Sequence, residues 1–483
     1  MKYIILNRGY SLRNETTCSY IIRKNMYVNS DMSNYQTIYA IPPFLGYILD
    51  NIGRHKYNQS LITIGKKLGI EANVLQHFVS QLIEQPCKSV SFMGKELFFP
   101  EHLLIYSEKK DNTNYLSIKS FSPFNDFVRC RPIIPINVNF MVTEHCNTNC
   151  IYCYAKRDTR KEMVTTDFER IFKKLSLSGV INLTLTGGDI FARKDWYEII
   201  SLSRKFGFGS LISTKTILTE HNIVNLKRLG VNEIQFSLDS TSANVLNKVI
   251  KVKSEYVEQL KVMFENCIKH DLKISLRTVL CKLNSHIENI KGLCDFVNIY
   301  TCISNWTITP AFYSENQIDY KKYSVENEEL KEIFLYLKEQ KIRIRPLFNK
   351  LSKDGYILQR AKDAESFVET NQICYANTYS MSILPTGDCT VCEMLYYNRD
   401  FIIGNIKEMT VDAIWNSDKA LMLYSPIKDN VIKESACYSC GVFDKCKKGI
   451  SKRICYVDIM KVHKHIDFPD PKCPNSRPCN YIL

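Results

Sequence analysis

The chain has 483 residues, of which 45% are hydrophobic and 24% are charged, and its formal net charge is +14. These proportions are typical of a soluble globular protein with room for roughly three domains. No run approaches the ~18 consecutive apolar residues of a membrane span, and the N-terminal apolar run is too short for a signal peptide. We therefore expect a cytoplasmic protein that neither crosses a membrane nor is secreted.

The cysteine count and the net charge indicate how the cysteines are used and which kinds of partner the protein could bind. Nineteen cysteines in a reducing compartment favour metal ligation over disulfide bonds, and they fall in clusters. The basic residues are spread along amphipathic segments instead of forming a dense block with aromatic residues. The charge fits an acidic peptide partner as well as it fits a nucleic acid.

Residues 1–105 predict a small α+β domain. Strands are expected near Tyr3–Leu6 and Tyr20–Arg23, a helix opens at Pro42-Pro43, two more helices follow, and a hairpin turns at Gly94-Lys95. Helices followed by a two-stranded wing predict a winged helix-turn-helix. The last of these helices, residues 74–82, carries no Arg or Lys, which disfavours DNA recognition. A linker is predicted over residues 106–131.

The most informative motif follows an extended apolar stretch. It reads Cys146-Asn-Thr-Asn-Cys150-Ile-Tyr-Cys153, which places three cysteines in eight residues. We call residues 146–153 the three-cysteine loop. Three soft thiolates suit a 4Fe-4S cluster with one iron left open for a small molecule, whereas structural zinc sites fill all four positions. The C-x3-C-x2-C spacing, with aromatic Tyr152 before the last cysteine, resembles the signature of the radical SAM family.

Residues 132–345 alternate strand and helix, which predicts parallel βαβ units. A helix with an N-terminal capping box of Thr166 and Glu169 is expected, ending at Gly179. Six units predict an α/β fold, a partial (β/α)6 barrel with the three-cysteine loop after its first strand. Parallel barrels carry their chemistry at the carboxyl ends of strands. The six predicted strands are residues 137–142, 181–185, 210–213, 233–238, 273–279 and 306–309.

The resemblance implies a set of contacts to S-adenosylmethionine (SAM). A Thr-Gly-Gly-Asp run after the second strand would hold the methionyl amine, although the family more often has Glu at its end. Tight turns, helix caps and a structural salt bridge are the alternative roles for these residues. The residues assigned to SAM binding are Tyr152, Gly187, Gly188, Asp189, Ser213, Thr214, Ser237, Asp239 and Arg277.

Residues 346–483 contain a second cysteine pattern in a segment where periodicity fades. We expect this segment to bury little core and to be held together by metal clusters. It resembles the SPASM extension, which implies two auxiliary 4Fe-4S clusters. The first would be held by Cys374, Cys392 and Cys455, and the second by Cys437, Cys440, Cys446 and Cys473.

Three features of this segment stay open. The family usually has a cysteine where Ile450 stands, so Cys455 is the least secure ligand, and Cys479 competes with Cys473. A zinc site at Cys437, Cys440 and Cys446 is the alternative to iron–sulfur. The remaining cysteines are expected to be small buried hydrophobes.

Glu393, directly after Cys392, is assigned the role of catalytic proton acceptor, by analogy with acids next to auxiliary ligands in some SPASM relatives. A solvated loop glutamate is the alternative.

The resemblance as a whole implies a radical SAM/SPASM peptide maturase. Its three 4Fe-4S clusters and SAM would generate a 5'-deoxyadenosyl radical that modifies a ribosomally made precursor peptide. The front domain would bind the leader of that peptide as an added strand, and ferredoxin or flavodoxin would donate electrons. A thioether or a carbon–carbon or ether crosslink is the expected product. One alternative is a sulfatase-type maturase or another SPASM oxidoreductase, and the other is a non-catalytic metal-stapled peptide-binding scaffold.

Overall fold

A computed structural model of the chain describes residues 3–24, 37–84, 88–92, 94–113, 115–155, 161–313, 320–348, 360–370, 374–448 and 454–477. The described residues form two compact units, one ending at Ile133 and the other beginning at Ile134. Among the described helices, none combines the length and apolar character that crossing a membrane requires.

The first unit contains three small sheets. Strands β2, β3, β4 and β8 form a four-stranded sheet in the order β4-β3-β2-β8, while β1 pairs with β7 and β5 pairs with β6, both antiparallel. The strands are β1 (Tyr3–Leu6), β2 (Tyr10–Asn14), β3 (Ser19–Arg23), β4 (Ile38–Ile41), β5 (Lys88–Phe92), β6 (Lys95–Phe99), β7 (Leu104–Ser107) and β8 (Leu116–Ser117).

Three helices separate β4 from β5. They are α1 (Pro43–Asn51), α2 (Tyr57–Leu68) and α3 (Ala72–Glu84). Pro43 lies in the first turn of α1, where its missing N–H costs no hydrogen bond, and Gly69 ends α2 in a left-handed conformation. The three helices and the β5–β6 hairpin follow the predicted order. Their apolar faces share one core with β1 to β4, in which Leu75 and Phe78 are fully buried.

The segment predicted as a linker, residues 106–131, belongs to the first unit instead. Strand β8 pairs in parallel with β2, Thr17 Oγ1 donates a hydrogen bond of 2.7 Å to Val128 O, and the thiols of Cys18 and Cys130 lie 3.2 Å apart. The linker prediction rested on local composition, whereas the segment is held by partners about 110 residues away in the sequence.

The second unit is built on a parallel sheet whose strands follow one another in sequence order. Each of the six predicted strands is present, and a two-residue strand extends the sheet past the predicted boundary at residue 345. The parallel strands are β9 (Asn137–Met141), β10 (Asn182–Thr186), β11 (Leu211–Thr214), β12 (Glu233–Ser237), β13 (Lys273–Leu280), β14 (Ile303–Pro310) and β15 (Leu347–Phe348).

Helices connect these strands, and their buried apolar residues form the main core with the sheet. They are α4 (Thr165–Ser178), α5 (Trp196–Lys205), α6 (Glu220–Arg228), α7 (Ala243–Ile250), α8 (Tyr256–Lys269), α9 (Ile287–Ile299), α10 (Tyr320–Tyr323) and α11 (Asn327–Glu339).

The start of α4 differs from the prediction. Asp167 accepts a hydrogen bond of 3.2 Å from Val164 N, while Glu169 forms an ion pair of 2.7 Å with Lys205. The capping carboxylate is therefore that of Asp167 and not that of Glu169, because the helix begins at Thr165. Gly179 ends the helix as expected, with φ +89°.

The cysteine-rich segment continues the same sheet. Strand β16 (Ser380–Ile383) pairs in parallel with β9, followed by antiparallel β17 (Asp388–Thr390) and β18 (Ile402–Asn405). The remaining helices are α12 (Ala364–Thr370), α13 (Val411–Trp415), α14 (Asp418–Tyr424), α15 (Phe443–Lys447) and α16 (Tyr456–His463).

The expectation that this segment buries little core is wrong. Fully buried Trp415 and Ile414 belong to the main core, and Lys174 of α4 donates hydrogen bonds of 2.6 and 2.8 Å to the carbonyls of Ile406 and Met409. The apolar residues were too widely spaced to show a period, but they pack against a sheet and a helix built elsewhere in the chain.

Candidate functional site

The three-cysteine loop begins a few residues after the carboxyl end of β9. Its three cysteines are partly exposed, and the buried Thr148 hydroxyl lies 3.3 Å from Cys146 Sγ and 3.5 Å from Cys150 Sγ. A hydroxyl at these distances can donate to either sulfur. Thr148 was not singled out from the sequence, where only the cysteine spacing was weighed.

Helix α7 anchors this loop. The backbone N–H groups of Asn149 and Ile151 donate hydrogen bonds of 2.9 Å to the carbonyls of Ile250 and Val249. These carbonyls belong to the last turn of the helix, which has no intrahelical donors for them. The helix end therefore holds the cysteines at the carboxyl edge of the sheet.

Gly187 and Gly188 also hold the loop, and their assignment to SAM binding stays a prediction. A Cβ on Gly187 would lie 2.3 Å from Thr143 O, and a Cβ on Gly188 would lie 2.0 Å from His145 O. Gly188 N and Asp189 N donate hydrogen bonds of 2.8 Å to those same carbonyls. Glycine is therefore required by close backbone packing beside the three-cysteine loop.

Asp189 organises the neighbouring loop. Its carboxylate is buried and accepts hydrogen bonds from Phe191 N, Thr214 Oγ1, Lys215 N, and both the backbone N and the hydroxyl of Thr216, at 2.7–3.2 Å. Burial raises the pKa of Asp189, and these hydrogen bonds act in the opposite direction. The carboxylate thus joins the ends of β10 and β11. Its assignment to the methionyl amine stays a prediction.

A second polar cluster braces the residues just before the three-cysteine loop. Glu162 accepts hydrogen bonds from Thr143 Oγ1 at 2.9 Å and Glu144 N at 2.6 Å. Arg193 contacts Glu162 at 3.3 Å and Asp195 at 2.8 Å. The ion pair between Arg193 and Glu162 was not predicted from the sequence, because the two residues lie 31 positions apart and belong to no motif.

Tyr152, Asp239 and Lys215 form a buried network. Asp239 accepts hydrogen bonds from the Tyr152 hydroxyl, from Lys215 Nζ at 2.7 Å and from Val279 N at 3.0 Å. The Asp239 side chain is 0% exposed, and the Lys215 ammonium lies 5.5 Å from the centre of the Tyr152 ring. The Asp239 carboxylate therefore connects β12 and β13 to the three-cysteine loop.

The other predicted SAM contacts lie along the same edge of the sheet. Thr214 is buried and donates to Asp189, whereas Ser213 is partly exposed and accepts a hydrogen bond of 2.7 Å from Gln235. Ser237 and Arg277 are partly exposed at the end of β12 and within β13. Their roles toward SAM stay predictions.

The cysteines assigned to the auxiliary clusters separate into two pockets. Cys374, Cys392 and Cys455 line one pocket together with Tyr456. The structure thus gathers residues 81 positions apart, and it places Cys455 with the set to which it was assigned.

The second pocket is lined by the other four cysteines, Cys437, Cys440, Cys446 and Cys473. Arg360 donates hydrogen bonds of 2.6–2.9 Å to the carbonyls of Cys473, Pro474 and Ser476. The competing Cys479 and the family position occupied by Ile450 lie outside the described residues.

Cysteines without an assigned ligand role are mostly core residues. Cys267, Cys281, Cys294, Cys302 and Cys389 are buried among apolar side chains, as expected. Cys87 lies outside the described residues. Within the part of the chain that the structure describes, no group of three His, Cys, Asp or Glu side chains is arranged to hold a single metal ion.

Glu393 follows Cys392 and opens a short 3₁₀ helix, Glu393–Leu395. Burial raises the pKa of its carboxyl group, while hydrogen bonds with Asn139 of β9 and Ser382 of β16, and the charge of Arg277, act in the opposite direction. Glu393 is half-buried, and because its Oε2 is shielded from solvent it is not a freely solvated loop residue.

Tyr154 directly follows the three-cysteine loop and lies near enough to Glu393 to feel its charge. Burial raises its pKa well above the usual range of tyrosine, and the nearby Glu393 and Cys153 raise it further. Its ring meets that of buried Tyr396 edge-on, with 6.4 Å between the ring centres. Tyr154 could have been recognised as a site residue from one sequence feature, its position directly after the last cysteine of the motif.

The donor chemistry of the three sets fits iron–sulfur clusters. Each set consists of thiols, and the two C-terminal sets line pockets of their own. Soft sulfur ligands select such clusters over hard oxygen-seeking ions. Cys146, Cys150 and Cys153 are the residues that would hold the SAM-binding cluster.

Two family models match this chain. Residues 140–296 match the Radical SAM superfamily, and residues 374–441 match an iron-sulfur cluster-binding domain named SPASM. The first match contains the three-cysteine loop. The second contains Cys374, Cys392, Cys437 and Cys440, while Cys446, Cys455 and Cys473 lie beyond it.

Curated relatives include a maturase and a peptide cyclase. The mycofactocin maturase MftC of Mycolicibacterium smegmatis is 23% identical over 70% of this chain and 82% of its own length. The PqqA peptide cyclase of Bradyrhizobium diazoefficiens is 24% identical over 32% of this chain. That alignment spans 41% of the cyclase, less than half of its length.

A crystal structure of Streptococcus suis SuiB bound to precursor peptide SuiA has the same fold. The TM-score is 0.65, and the match covers 98% of this chain and 100% of SuiB at 16% sequence identity. Because the identity is low, this likeness concerns the fold alone. The chain thus contains a Radical SAM domain and an iron–sulfur cluster-binding SPASM domain, and together with its relatives these domains support an iron–sulfur, SAM-dependent enzyme.

Proposed function

We propose that this enzyme modifies a ribosomally made precursor peptide, forming a thioether or a carbon–carbon or ether crosslink between side chains. The observation that carries the proposal is the gathering of three cysteine sets in one chain, with the three-cysteine loop at the carboxyl edge of a parallel sheet. Its relatives MftC and PqqA cyclase are a maturase and a peptide cyclase.

Three 4Fe-4S clusters would occupy the three cysteine sets. Cys146, Cys150 and Cys153 would hold the SAM-binding cluster, and when bound that group would supply the one-electron chemistry for cleavage of SAM and radical attack on the peptide. Gly187, Gly188 and the end of α7 hold the cysteines in place. Ser213, Ser237 and Arg277 are partly exposed along the same edge and are the side chains available to orient SAM.

Glu393 is the proposed proton acceptor. Its position against β9 and β16, with Arg277 nearby, puts it inside the second unit and close to Tyr154. After hydrogen abstraction, closing the crosslink requires the loss of one more proton and one electron; Glu393 would take the proton and an auxiliary cluster would take the electron. A desolvated carboxylate is a stronger base than an exposed one.

The first unit is the proposed leader-binding unit, with a winged-helix arrangement of α1 to α3 and the β5–β6 hairpin. Strand β4 is an edge of the four-stranded sheet within the described residues. Arg23 N donates to Thr37 O, so by antiparallel alternation the backbone groups of Ala40 point away from β3. An extended leader peptide would add to this edge.

The cluster assignment is tested by anaerobic measurement of iron, sulfide and 5'-deoxyadenosine. We expect about twelve irons per chain in wild type, and about eight with no 5'-deoxyadenosine in the variant that replaces Cys146, Cys150 and Cys153 by Ala. Zinc without SAM cleavage would refute the proposal and leave a metal-stapled binding scaffold.

Leader binding separates a peptide maturase from a sulfatase-type maturase, which has no use for the first unit. A peptide encoded by a short open reading frame near the gene is the candidate substrate. Ala40→Pro removes an outward N–H of β4 and should abolish leader binding while SAM cleavage without peptide persists. Equal peptide binding by this variant and wild type would contradict strand addition at β4. A cytoplasmic location and a ferredoxin or flavodoxin donor stay predictions.

A further inference from the structure

Lys215 is a cationic residue beside the three-cysteine loop that the proposed reaction does not use. It stands in the run Ser213-Thr214-Lys215-Thr216, directly after the end of β11. Its side chain is 13% exposed, its ammonium lies 2.7 Å from Asp239 Oδ2, and the centre of the Tyr152 ring is 5.5 Å away. A buried lysine in this position therefore needs an explanation beyond a solvated loop.

The backbone of Lys215 is fixed from both sides. Lys215 N donates a hydrogen bond of 3.0 Å to Asp189 Oδ2, and Lys215 O accepts one of 2.7 Å from the Tyr256 hydroxyl. Because these bonds leave the residue little freedom, the ammonium is held at one place, next to Asp239 and the three-cysteine loop.

Lys215 balances the negative charge of the buried Asp239 carboxylate. The Asp239 side chain is 0% exposed, so water cannot screen its carboxylate. The Lys215 ammonium lies 2.7 Å from this carboxylate and 5.5 Å from the ring centre of Tyr152, which belongs to the three-cysteine loop. The ion pair therefore places a positive charge beside the loop.

Resting on the proposed function, we propose that Lys215 is a positioning residue that sets the reduction potential of the cluster held by the three-cysteine loop. Its ammonium neutralises Asp239 and so makes it easier to add an electron to the cluster. The potentials of iron–sulfur clusters depend on net charge and on hydrogen bonds near the sulfurs. A charge in a site shielded from water acts more strongly than one at the surface.

The test is a dithionite titration of the reconstituted full-length enzyme, followed by electron paramagnetic resonance. The relevant signal is the one that disappears when Cys146, Cys150 and Cys153 are replaced by Ala. Lys215→Met should shift its midpoint potential to a more negative value, Asp239→Asn should shift it to a more positive value, and the double variant should return toward wild type. Lys215→Arg keeps the charge and should stay near wild type.

Exposed Lys248 on α7 provides the matched control, because Lys248→Met removes a charge that water screens. A full iron content with an unchanged potential in Lys215→Met would overturn the proposal, even if the affinity for SAM fell. If Lys215→Met does not load iron, the potential of the Asp239→Asn variant is the deciding measurement. A midpoint potential in Asp239→Asn that is not more positive than that of wild type overturns the proposal. A wild-type enzyme without the cysteine-dependent signal would refute the proposed function itself.

Discussion

Replacing Gly188 by Ala tests how the Gly187-Gly188 turn supports the three-cysteine loop. The added Cβ would lie 2.0 Å from His145 O and 2.5 Å from His145 C, whereas real Cβ atoms essentially never approach within 3.0 Å of such atoms. Both are backbone atoms that cannot rotate away. The two backbones must therefore separate by about 1 Å, the difference between the required and the available distance.

The expected loss has a structural and a catalytic part. Overpacking of this kind costs about 1–3 kcal/mol of folding free energy. A displacement of about 1 Å in the residues that carry the cysteines can lower a rate by ~10²-fold. We therefore expect 5'-deoxyadenosine formation to fall by that factor, with a lower iron content.

Gly207→Ala is the matched control. Gly207 has φ +86° and nothing lies within 4 Å of its added Cβ, so the substitution introduces conformational strain without a collision. That strain costs about 1–2 kcal/mol, comparable to the loss in Gly188→Ala. Iron content, 5'-deoxyadenosine formation and the melting temperature should be compared in both variants. Wild-type iron content and turnover in Gly188→Ala would refute the reasoning.

Three further predictions follow from the site and the first unit. Cys455→Ala should lose about four irons per chain, whereas Cys389→Ala, a core cysteine, should lose none; equal iron in both would exclude Cys455 as a ligand. Glu393→Gln should keep SAM cleavage but lower peptide product by ~10²–10⁴-fold, measured by mass spectrometry, because an amide cannot accept the proton; undiminished product would contradict this role. In the first unit, the hydrogen bond from Cys18 lowers the pKa of Cys130 to about 7. The rate of Cys130 alkylation should therefore increase with pH around this value, and the pH at its midpoint should be higher in Cys18→Ala. Peptide mapping after alkylation measures this, and an unchanged midpoint would refute the coupling.

The sequence identified the chemistry well because its signals are local. The spacing of Cys146, Cys150 and Cys153 lies within eight residues, and the alternation of apolar residues marked each of the six principal parallel strands. Periodicity and ligand spacing report on neighbouring residues, which is why both could be predicted without knowledge of the tertiary contacts.

The sequence was less informative where a residue acts through a distant partner. The linker prediction failed because residues 116–130 pair with residues 13–18, and the last segment buries a core because α4 and β9 lie against it. Such contacts leave no mark in local composition.

By itself, the amino-acid sequence predicted the iron–sulfur class of cofactor and the succession of parallel strands, and its cysteine spacing is the basis of the three proposed ligand sets. Only the tertiary structure decided that Gly188 is needed to let two backbones meet, that Asp189 joins two strand ends, and that Lys215 and Asp239 face each other beside the three-cysteine loop. The physical reason is that thiol spacing is a covalent property of a short segment, whereas close packing and buried charge pairs arise only when segments far apart in the chain come together.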